Sequence, residues 1–212
     1  MDALTELLPL AIAMLLTGVV GGLLAGLLGV GGGIVIVPVL DTALGLYGVD
    51  PAIRMHVAVA TSLATIIPTS ISSIRAHRTK GAVDEVIARS WGPWVFVGSI
   101  LGTVLAAQVD SRVLSGLFAV MALVVAVKMM LPAQATFLHD GIPRGRLAGT
   151  IPLGIGGLSS MMGIGGGTLS VPILTLMNQP IHRSVGTAAV FGLLISVPGM
   201  IGYLLAGWGD SR

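Results

Sequence analysis

The sequence contains no cysteine and few charged residues. The absence of cysteine excludes disulfide bonds and thiolate-bound metals. Only 9% of the 212 residues are charged and 54% are hydrophobic, whereas a soluble domain carries about 25% charged residues. So few charges cannot cover a water-facing surface. The composition therefore predicts an integral membrane protein.

The distribution of the remaining polar residues excludes further classes of function. No basic patch is interleaved with aromatic residues, which argues against nucleic-acid binding. No hydrolase, zinc-protease or phosphate-loop motif occurs, so we expect neither an enzyme nor a metal or cofactor site. No acidic residue lies well inside an apolar run, which favours an anionic or neutral substrate over a cation.

The apolar runs lie at residues 7–46, 56–74, 91–109, 113–131, 148–177 and 184–206. A membrane-spanning helix needs roughly 20 apolar residues, which suits the second, third, fourth and sixth runs. The first and fifth are longer and contain glycine clusters, so we predict that each is a helix broken into two pieces. The predicted fold class is therefore all-α, a polytopic transmembrane helical bundle.

Lysine and arginine are concentrated in residues 75–89 and 131–147. The positive-inside rule predicts that these two segments face the cytoplasm and that the stretches carrying Arg54, Arg112 and Arg183 face the other side.

The chain contains an internal repeat. The segment GVGGGIVIVPVL (29–40) matches GIGGGTLSVPIL (163–174), and HVAVATSLA (56–64) matches HRSVGTAAV (182–190). Repeats of this kind are common in secondary transporters. We predict two homologous halves, with a first repeat at 1–131, a cytoplasmic linker at 132–147 and a second repeat at 148–212. The second repeat has no counterpart of the last two helices of the first, and a homodimer would cover the surfaces left open.

The repeated glycine segment predicts an anion site. Glycine permits a turn with several backbone N–H groups pointing one way, and the start of the next helix adds a partial positive charge. The prolines after the glycines would end or kink the second piece. The residues assigned to substrate binding are Gly29, Gly31, Gly32, Gly33, Pro38, Thr61, Ser62, Gly163, Gly165, Gly166, Gly167, Thr168, Pro172 and Thr187.

Other interpretations of these residues remain open. Glycines also let helices approach closely, the interpretation that we prefer for Gly18, Gly22 and Gly26. Hydroxyl groups inside helices also bond to their own helix carbonyls. As a test, we predict that leucine at Gly32 or Gly166 abolishes anion binding while the protein stays folded.

Two histidines and two arginines begin the helices that come after the broken segments. His56 and His182 are candidates for proton coupling, because histidine titrates near neutrality. Arg54 and Arg183 beside them are candidates for drawing anions to the mouth of the site. An interfacial or purely topological role would explain all four equally well.

The repeated glycine–proline segments, the ATS and GTA stretches downstream and the KG and AG turns resemble the sulfite exporter TauE/SafE family of membrane permeases. The resemblance implies a multi-pass protein of the bacterial cytoplasmic membrane with two homologous halves. It implies a permease for sulfite, an organosulfonate or a related small anion. The alternatives are an anion channel and a membrane subunit that transports nothing.

Overall fold

The computed structural model describes residues 15, 18–19, 22–23, 32–130 and 147–208. Within that part of the chain there are seven helices of defined extent and no strand, so the predicted all-α class is confirmed. They are α1 (Gly33–Leu46), α2 (Pro51–Thr79), α3 (Glu85–Ala106), α4 (Ser111–Met130), α5 (Leu147–Met162), α6 (Gly167–Leu176) and α7 (Ile181–Gly207).

The helix starts are set by local sequence. Asp50 precedes α2, and its carboxylate accepts the backbone N–H of Ala52 at 2.8 Å. Pro51 occupies the first helical position, where its missing N–H costs nothing. Asp84 caps α3 in the same way, accepting two backbone N–H groups at 3.0 Å each. These caps fix where the two long helices begin.

Four helices end in the same motif, with a residue of positive φ just past the helix. Gly48, Gly81, Gly163 and Asn178 have φ of 75°, 61°, 66° and 60° and come after α1, α2, α5 and α6. In each case two backbone N–H groups bond back to carbonyls of the last turn, as in a Schellman motif. Glycine and asparagine are the residues that tolerate this conformation best.

Helices α3 and α5 pack side by side, in parallel and with their backbones in contact. A Cβ atom on Gly98 would collide with the carbonyl of Leu153, and one on Gly102 would collide with the carbonyl of Gly157. Gly156 approaches the carbonyl of Val95 as closely. Small residues at such positions let membrane helices approach to backbone distance.

Helices α2 and α7 pack in antiparallel fashion along their length. The pairs in contact, from one end to the other, are His77 with Gly186, Ser70 with Gly192, Leu63 with Gly199, and His56 with Tyr203. Next to this pair, Trp91 of α3 stacks on Phe191 of α7 with ring centroids 6.2 Å apart. Both rings are buried, so α2, α3 and α7 share one apolar core.

These contacts show that the α5–α6 segment enters and leaves on one side. Helix α5 runs parallel to α3, so both begin at the same side of the bundle. Helix α7 also begins there, because the N–H of Asp84, just before α3, donates to Thr187 Oγ1 at 2.9 Å. The broken segment is therefore a re-entrant hairpin. The predicted placement of Arg183 opposite residues 75–89 is wrong, because the hairpin returns the chain to their side.

Helices α1 and α6 run in opposite directions. Both start at the level where the glycine segments meet. Helix α1 leads to the start of α2, to which it is joined by an ion pair between Arg54 and Asp41 at 2.9 Å. Helix α6 leads to the start of α7, at the other end of the bundle. This arrangement has the form of an inverted-topology repeat, although the division into two homologous halves stays a prediction.

The surface of the bundle suits a lipid environment. Helices α2 and α7 are each long and apolar enough to cross a membrane. Large apolar side chains of α3 and α4 are exposed, among them Trp94, Leu101, Val104, Val120 and Leu123. A water-facing surface rarely shows so large an apolar area.

Candidate functional site

The break between α5 and α6 is built around Gly163. Its N–H and that of Ile164 bond to the carbonyls of Ser160 and Ser159 at 3.4 and 3.0 Å, so neither N–H is available to a ligand. Its carbonyl accepts the hydroxyl of Ser62 at 2.7 Å. Gly163 therefore ends α5 and joins it to α2.

The two glycine segments meet each other at this point. A Cβ atom on Gly33, at the start of α1, would collide with the carbonyl of Gly163 and lie 2.9 Å from the Cα of Ile164. The residues that precede α1 and α6 are Gly32 and Gly166, with φ and ψ of −66° and −24° in the first and −53° and −24° in the second. These two glycines thus have the same backbone conformation.

The space around these two glycines differs. A Cβ atom on Gly166 would lie 2.5 Å from the carbonyl oxygen of Ala188 and 2.6 Å from the backbone nitrogen of Gly192. At Gly32 it would meet only the flexible end of Ile36, at 3.3 Å. Leucine at Gly166 would therefore disturb the backbone of α7. We therefore correct the expectation that Gly166→Leu stays folded, because its side chain would collide with the backbone of α7.

A cavity of about 310 Å³ lies beside the break, between the two glycine segments and helices α2 and α7. Along α2 it extends from Thr65 to His77, a distance of about 18 Å at 1.5 Å per residue. It therefore reaches the end of α2 next to the basic segment 75–89. Its described lining consists of Gly18, Gly22, Gly32, Ile36, Thr65, Ile66, Thr69, Ser70, Ser73, His77, Gly165, Gly166, Gly167, Val185, Ala188, Ala189 and Gly192.

The lining combines apolar surface with hydroxyl groups. Among the described residues that line the cavity there is no aspartate, glutamate, lysine or arginine. Thr65 donates its hydroxyl to the carbonyl of Ser62 at 2.7 Å, and Thr69 donates to the carbonyls of Thr65 and Ile66 at 3.1 and 3.0 Å. The N-terminus of α6 opens onto the same space and contributes partial positive charge. The cavity thus suits an anion or a neutral polar molecule.

The predicted site residues divide into three groups. Gly32, Gly165, Gly166 and Gly167 line the cavity. Gly29 and Gly31 lie outside the described residues. The remaining residues are not among those that line it: Gly33, Pro38, Thr61, Ser62, Gly163, Thr168, Pro172 and Thr187.

Several residues of the last group make contacts within the fold. Thr61 is exposed and donates to the carbonyl of Val57 at 2.8 Å, the back-bonding alternative. Thr187 holds the turn before α3, as described above. Neither proline ends its helix, because α1 continues from Pro38 to Leu46 and α6 continues from Pro172 to Leu176. Of the two predicted effects of these prolines, a helix end is wrong, and a kink stays a prediction.

The glycines assigned to close helix packing also lie elsewhere than expected. Gly18 and Gly22 line the cavity, and a Cβ atom on either would meet no described atom within 4 Å. Gly26 lies outside the described residues. Close backbone packing occurs instead between α3 and α5, at glycines that the repeat does not mark.

His56 and His182 lie at opposite ends of the bundle. His56 is half-buried, with Nδ1 3.1 Å from Ser111 Oγ and Nε2 3.1 Å from the carbonyl of Ala106. A carbonyl only accepts, so Nε2 carries a proton and donates it. His182 is exposed beside Arg183 at the start of α7.

Arg54 is half-buried in the ion pair with Asp41 that joins α1 to α2. The residues that line the cavity include none of these four: His56, Arg54, His182 and Arg183. Their roles in proton coupling or at a mouth stay predictions. No group of three or more potential metal-ligating side chains occurs in the described ranges.

The polar stripe on α2 was missed by the sequence reasoning. Thr65, Thr69, Ser73 and His77 recur at intervals of four and share one helix face with Ser70. That spacing is visible in the sequence. The sequence-based prediction favoured hydroxyl residues that are equivalent in the two copies of the repeat, so it did not include this stripe.

Comparisons with known proteins show what the chain is similar to. The family model described as sulfite exporter TauE/SafE matches residues 14–211. A probable membrane transporter protein of Haemophilus influenzae is 33% identical over 92% of this chain and 74% of its own length. Another probable membrane transporter protein, from Methanocaldococcus jannaschii, is 30% identical over 94% of the chain and 73% of its own length.

A third relative, the probable membrane transporter protein YunE of Bacillus subtilis, is 29% identical over 92% of the chain and 79% of its own length. No solved structure is significantly similar to the chain. The family model matches almost the whole sequence, including the described part of both glycine segments and the cavity between them. The chain belongs to the sulfite exporter TauE/SafE family.

Proposed function

We propose that this protein is a secondary transporter for a small anion, with sulfite or an organosulfonate as its cargo. The observation that carries the proposal is the cavity beside the broken helix, which is lined by glycines of both repeated segments and by hydroxyl groups. The family description supports the choice of a sulfur oxyanion. The names of the relatives support transport.

Electrostatics favour an anion in this cavity. A carboxylate in the lining would repel an anion, and none occurs among its described residues. A lysine or arginine would bind it strongly but would be costly to bury when the cavity is empty. Backbone N–H groups and a helix N-terminus attract negative charge without a buried formal charge. Such a site binds an anion and can still release it.

The form of the cavity supports alternating access rather than an open channel. At one end it reaches the basic end of α2. Toward the other end, a Cβ atom on Gly199 would lie 2.9 Å from Leu63 Cδ1, and Gly33 packs on Gly163 as described above. This packing separates the cavity from the far end of the bundle. Transport would require the α5–α6 hairpin and the start of α1 to move relative to α2 and α7.

The proposal also covers the membrane in which the protein lies and the orientation of the protein in it. We place the protein in a bacterial cytoplasmic membrane, with residues 75–89 and 131–147 facing the cytoplasm. The cavity would then open inward. Residues 1–131 and 148–212 would form the two halves, with residues 132–147 as the linker between them.

Uptake into proteoliposomes tests this function. Purified protein is reconstituted, the vesicles are loaded with unlabelled sulfite or methanesulfonate, and entry of the same labelled anion is measured over time. We expect saturable entry that is accelerated by the unlabelled anion inside. Entry that rises linearly with concentration and is not accelerated would indicate a channel. Entry no faster than into empty vesicles, for every anion tested, would refute the proposal.

A further inference from the structure

Ser70 is a buried serine whose hydroxyl group has no hydrogen-bond partner among the described residues. The residue is only 7% exposed and lines the cavity from α2. No hydrogen bond joins its Oγ atom to another residue in the described ranges. Buried polar groups are nearly always hydrogen-bonded. An unpaired one that faces a cavity is well placed to bind a ligand.

The neighbouring hydroxyl groups of α2 differ from Ser70 in this respect. Thr65 and Thr69 already donate to helix carbonyls and present only lone pairs to the cavity. An anion needs donors, so those two threonines would have to break a bond before contacting it. Ser70 can donate at once. It is also more deeply buried than Ser73, which lies one turn nearer the basic end.

Backbone donors lie on the other side of the same space. The N–H groups of Gly165, Gly166 and Gly167 form no hydrogen bond to any residue within the part of the chain that the structure describes. They precede and begin α6, a helix of 10 residues, and the first N–H groups of a helix have no partner within it. The helix dipole adds to their attraction for an anion.

Gly192 of α7 shows that these donors converge. The point that a Cβ atom on Gly192 would occupy lies 2.7 Å from Ser70 Oγ and 3.6 Å from the nitrogen of Gly166. The lack of a side chain at residue 192 therefore lets Ser70 and the backbone of Gly166 lie close together against α7. A methyl group there would press against Ser70 Oγ.

The remaining wall limits the kind of anion. Ile36, Ile66, Val185 and Ala189 line the cavity near these donors and offer only apolar surface. The volume of about 310 Å³ is many times the roughly 10–15 Å³ that one water requires. A bare inorganic oxyanion would leave much of that space unfilled. A short aliphatic chain attached to the oxyanion would cover the apolar wall.

We propose that Ser70 and the backbone N–H of Gly166, which lie together against Gly192, form the subsite for the charged group of the substrate. The substrate of this subsite is an organic oxyanion with a short aliphatic tail, bound with its tail against Ile36 and Ile66. This inference rests on the proposed transport of a small anion and names the residues that would select it.

Binding measurements on the purified full chain test the subsite. The probes are sulfite, methanesulfonate, propanesulfonate and propionate, with affinity measured by calorimetry in detergent. For Ser70→Ala we expect a loss of about 10- to 100-fold for each anion that binds, because one hydrogen bond to a charged group disappears. Ser115→Ala is the control, since Ser115 is exposed on α4 and bonds only its own helix.

A second variant tests the position of the Ser70 hydroxyl by displacing it. Gly192→Ala brings a methyl group against Ser70 Oγ, and we expect a loss of affinity at least as large as that of Ser70→Ala. Gly154→Ala is the matched control, because a Cβ atom there meets nothing within 4 Å among the described residues. The melting temperature of each variant shows whether it is folded. If Gly192→Ala does not fold, Ser70→Ala alone decides.

The outcomes separate this inference from the function on which it rests. Wild-type affinity in a folded Ser70→Ala variant would overturn the subsite, while anion binding by the wild type would leave the transport proposal intact. Failure of the wild type to bind any anion would overturn both. Tighter binding of propanesulfonate than of methanesulfonate and sulfite would support the aliphatic tail. Equal affinity for all three would overturn that part.

Discussion

Glycine has opposite effects in two regions of this molecule. Between α3 and α5, Gly98 and Gly102 lie in continuous helices and let two backbones touch, and no open space remains between them. Between α5 and α6, Gly165–Gly167 interrupt the helix and line an open cavity. The difference teaches that the density of glycine does not distinguish packing from binding. What distinguishes them is whether the helical hydrogen bonds continue.

The physical reason lies in the backbone. A continuous helix satisfies its own N–H groups, so the only effect of a missing side chain is a closer neighbour. A broken helix leaves N–H groups unpaired, and in a membrane these persist only where protein or a cavity surrounds them. The end of α5 uses Gly163 and Ser62 to satisfy its own groups, whereas the start of α6 leaves N–H groups beside the cavity.

The largest effect should come from filling the packed region. Gly102→Leu would force a side chain into a space where a Cβ atom already meets the carbonyl of Gly157 and lies 2.5 Å from Ser160 Oγ. Overpacking by single methylenes costs about 1–3 kcal/mol, and here several added atoms meet backbone. We expect loss of the folded protein, measured as loss of the monodisperse peak in size-exclusion chromatography.

The matched control is Gly116→Leu. Gly116 is exposed on α4, and a Cβ atom there meets no described atom within 4 Å. We expect this variant to elute like the wild type. Normal elution of Gly102→Leu, with unchanged melting temperature, would show that α3 and α5 are not in backbone contact.

An intermediate effect on stability is expected to distinguish the two repeated glycine segments. Gly166→Ala brings a methyl group against the backbone of Gly192 and Ala188, whereas Gly32→Ala meets only the end of Ile36. We expect Gly166→Ala to lower stability by about 1–3 kcal/mol and Gly32→Ala to change it by less than about 0.5 kcal/mol. Thermal unfolding in detergent measures both. Equal losses would contradict the difference in packing.

The smallest effect on stability is expected from a comparison of two adjacent hydroxyl residues. Ser62→Ala removes the donor to the buried carbonyl of Gly163 and should cost about 1–2 kcal/mol. Thr61→Val removes only a bond to its own helix at an exposed position and should change stability by less than about 0.5 kcal/mol. Thermal unfolding of both variants checks this. A larger loss in Thr61→Val would contradict the proposed role of Ser62 in the break.

Much of the fold could be predicted because apolar length and glycine position are local properties. The predicted run at 184–206 became α7, and the break predicted in the fifth run lies at Gly163. The direction in which a segment leaves the membrane is not a local property of its sequence. A run of 30 apolar residues with a break can cross once or turn back, and a single arginine such as Arg183 does not decide between them. Packing of α5 on α3 decides it.

The candidate site was harder to predict for a related reason. Thr61 and Thr187 are equivalent in the repeat, but α2 and α7 are antiparallel, so the two residues lie toward opposite ends of the bundle. A cavity that lies toward one end of the bundle cannot be lined in the same way by both. The residues that line it on α2, such as Ser70, therefore have no reason to match their counterparts on α7.

The re-entrant hairpin has a consequence for how the chain enters the membrane. The turn between α6 and α7 contains Asn178 and Gln179 and lies shortly before Arg183, and all three remain on the side where α5 begins. Insertion of α5 and α6 therefore carries no polar loop through the lipid. The polar groups that move deepest with the hairpin are its glycine backbone and the neighbouring side chains of Ser159, Ser160 and Thr168, all of which are buried inside the bundle.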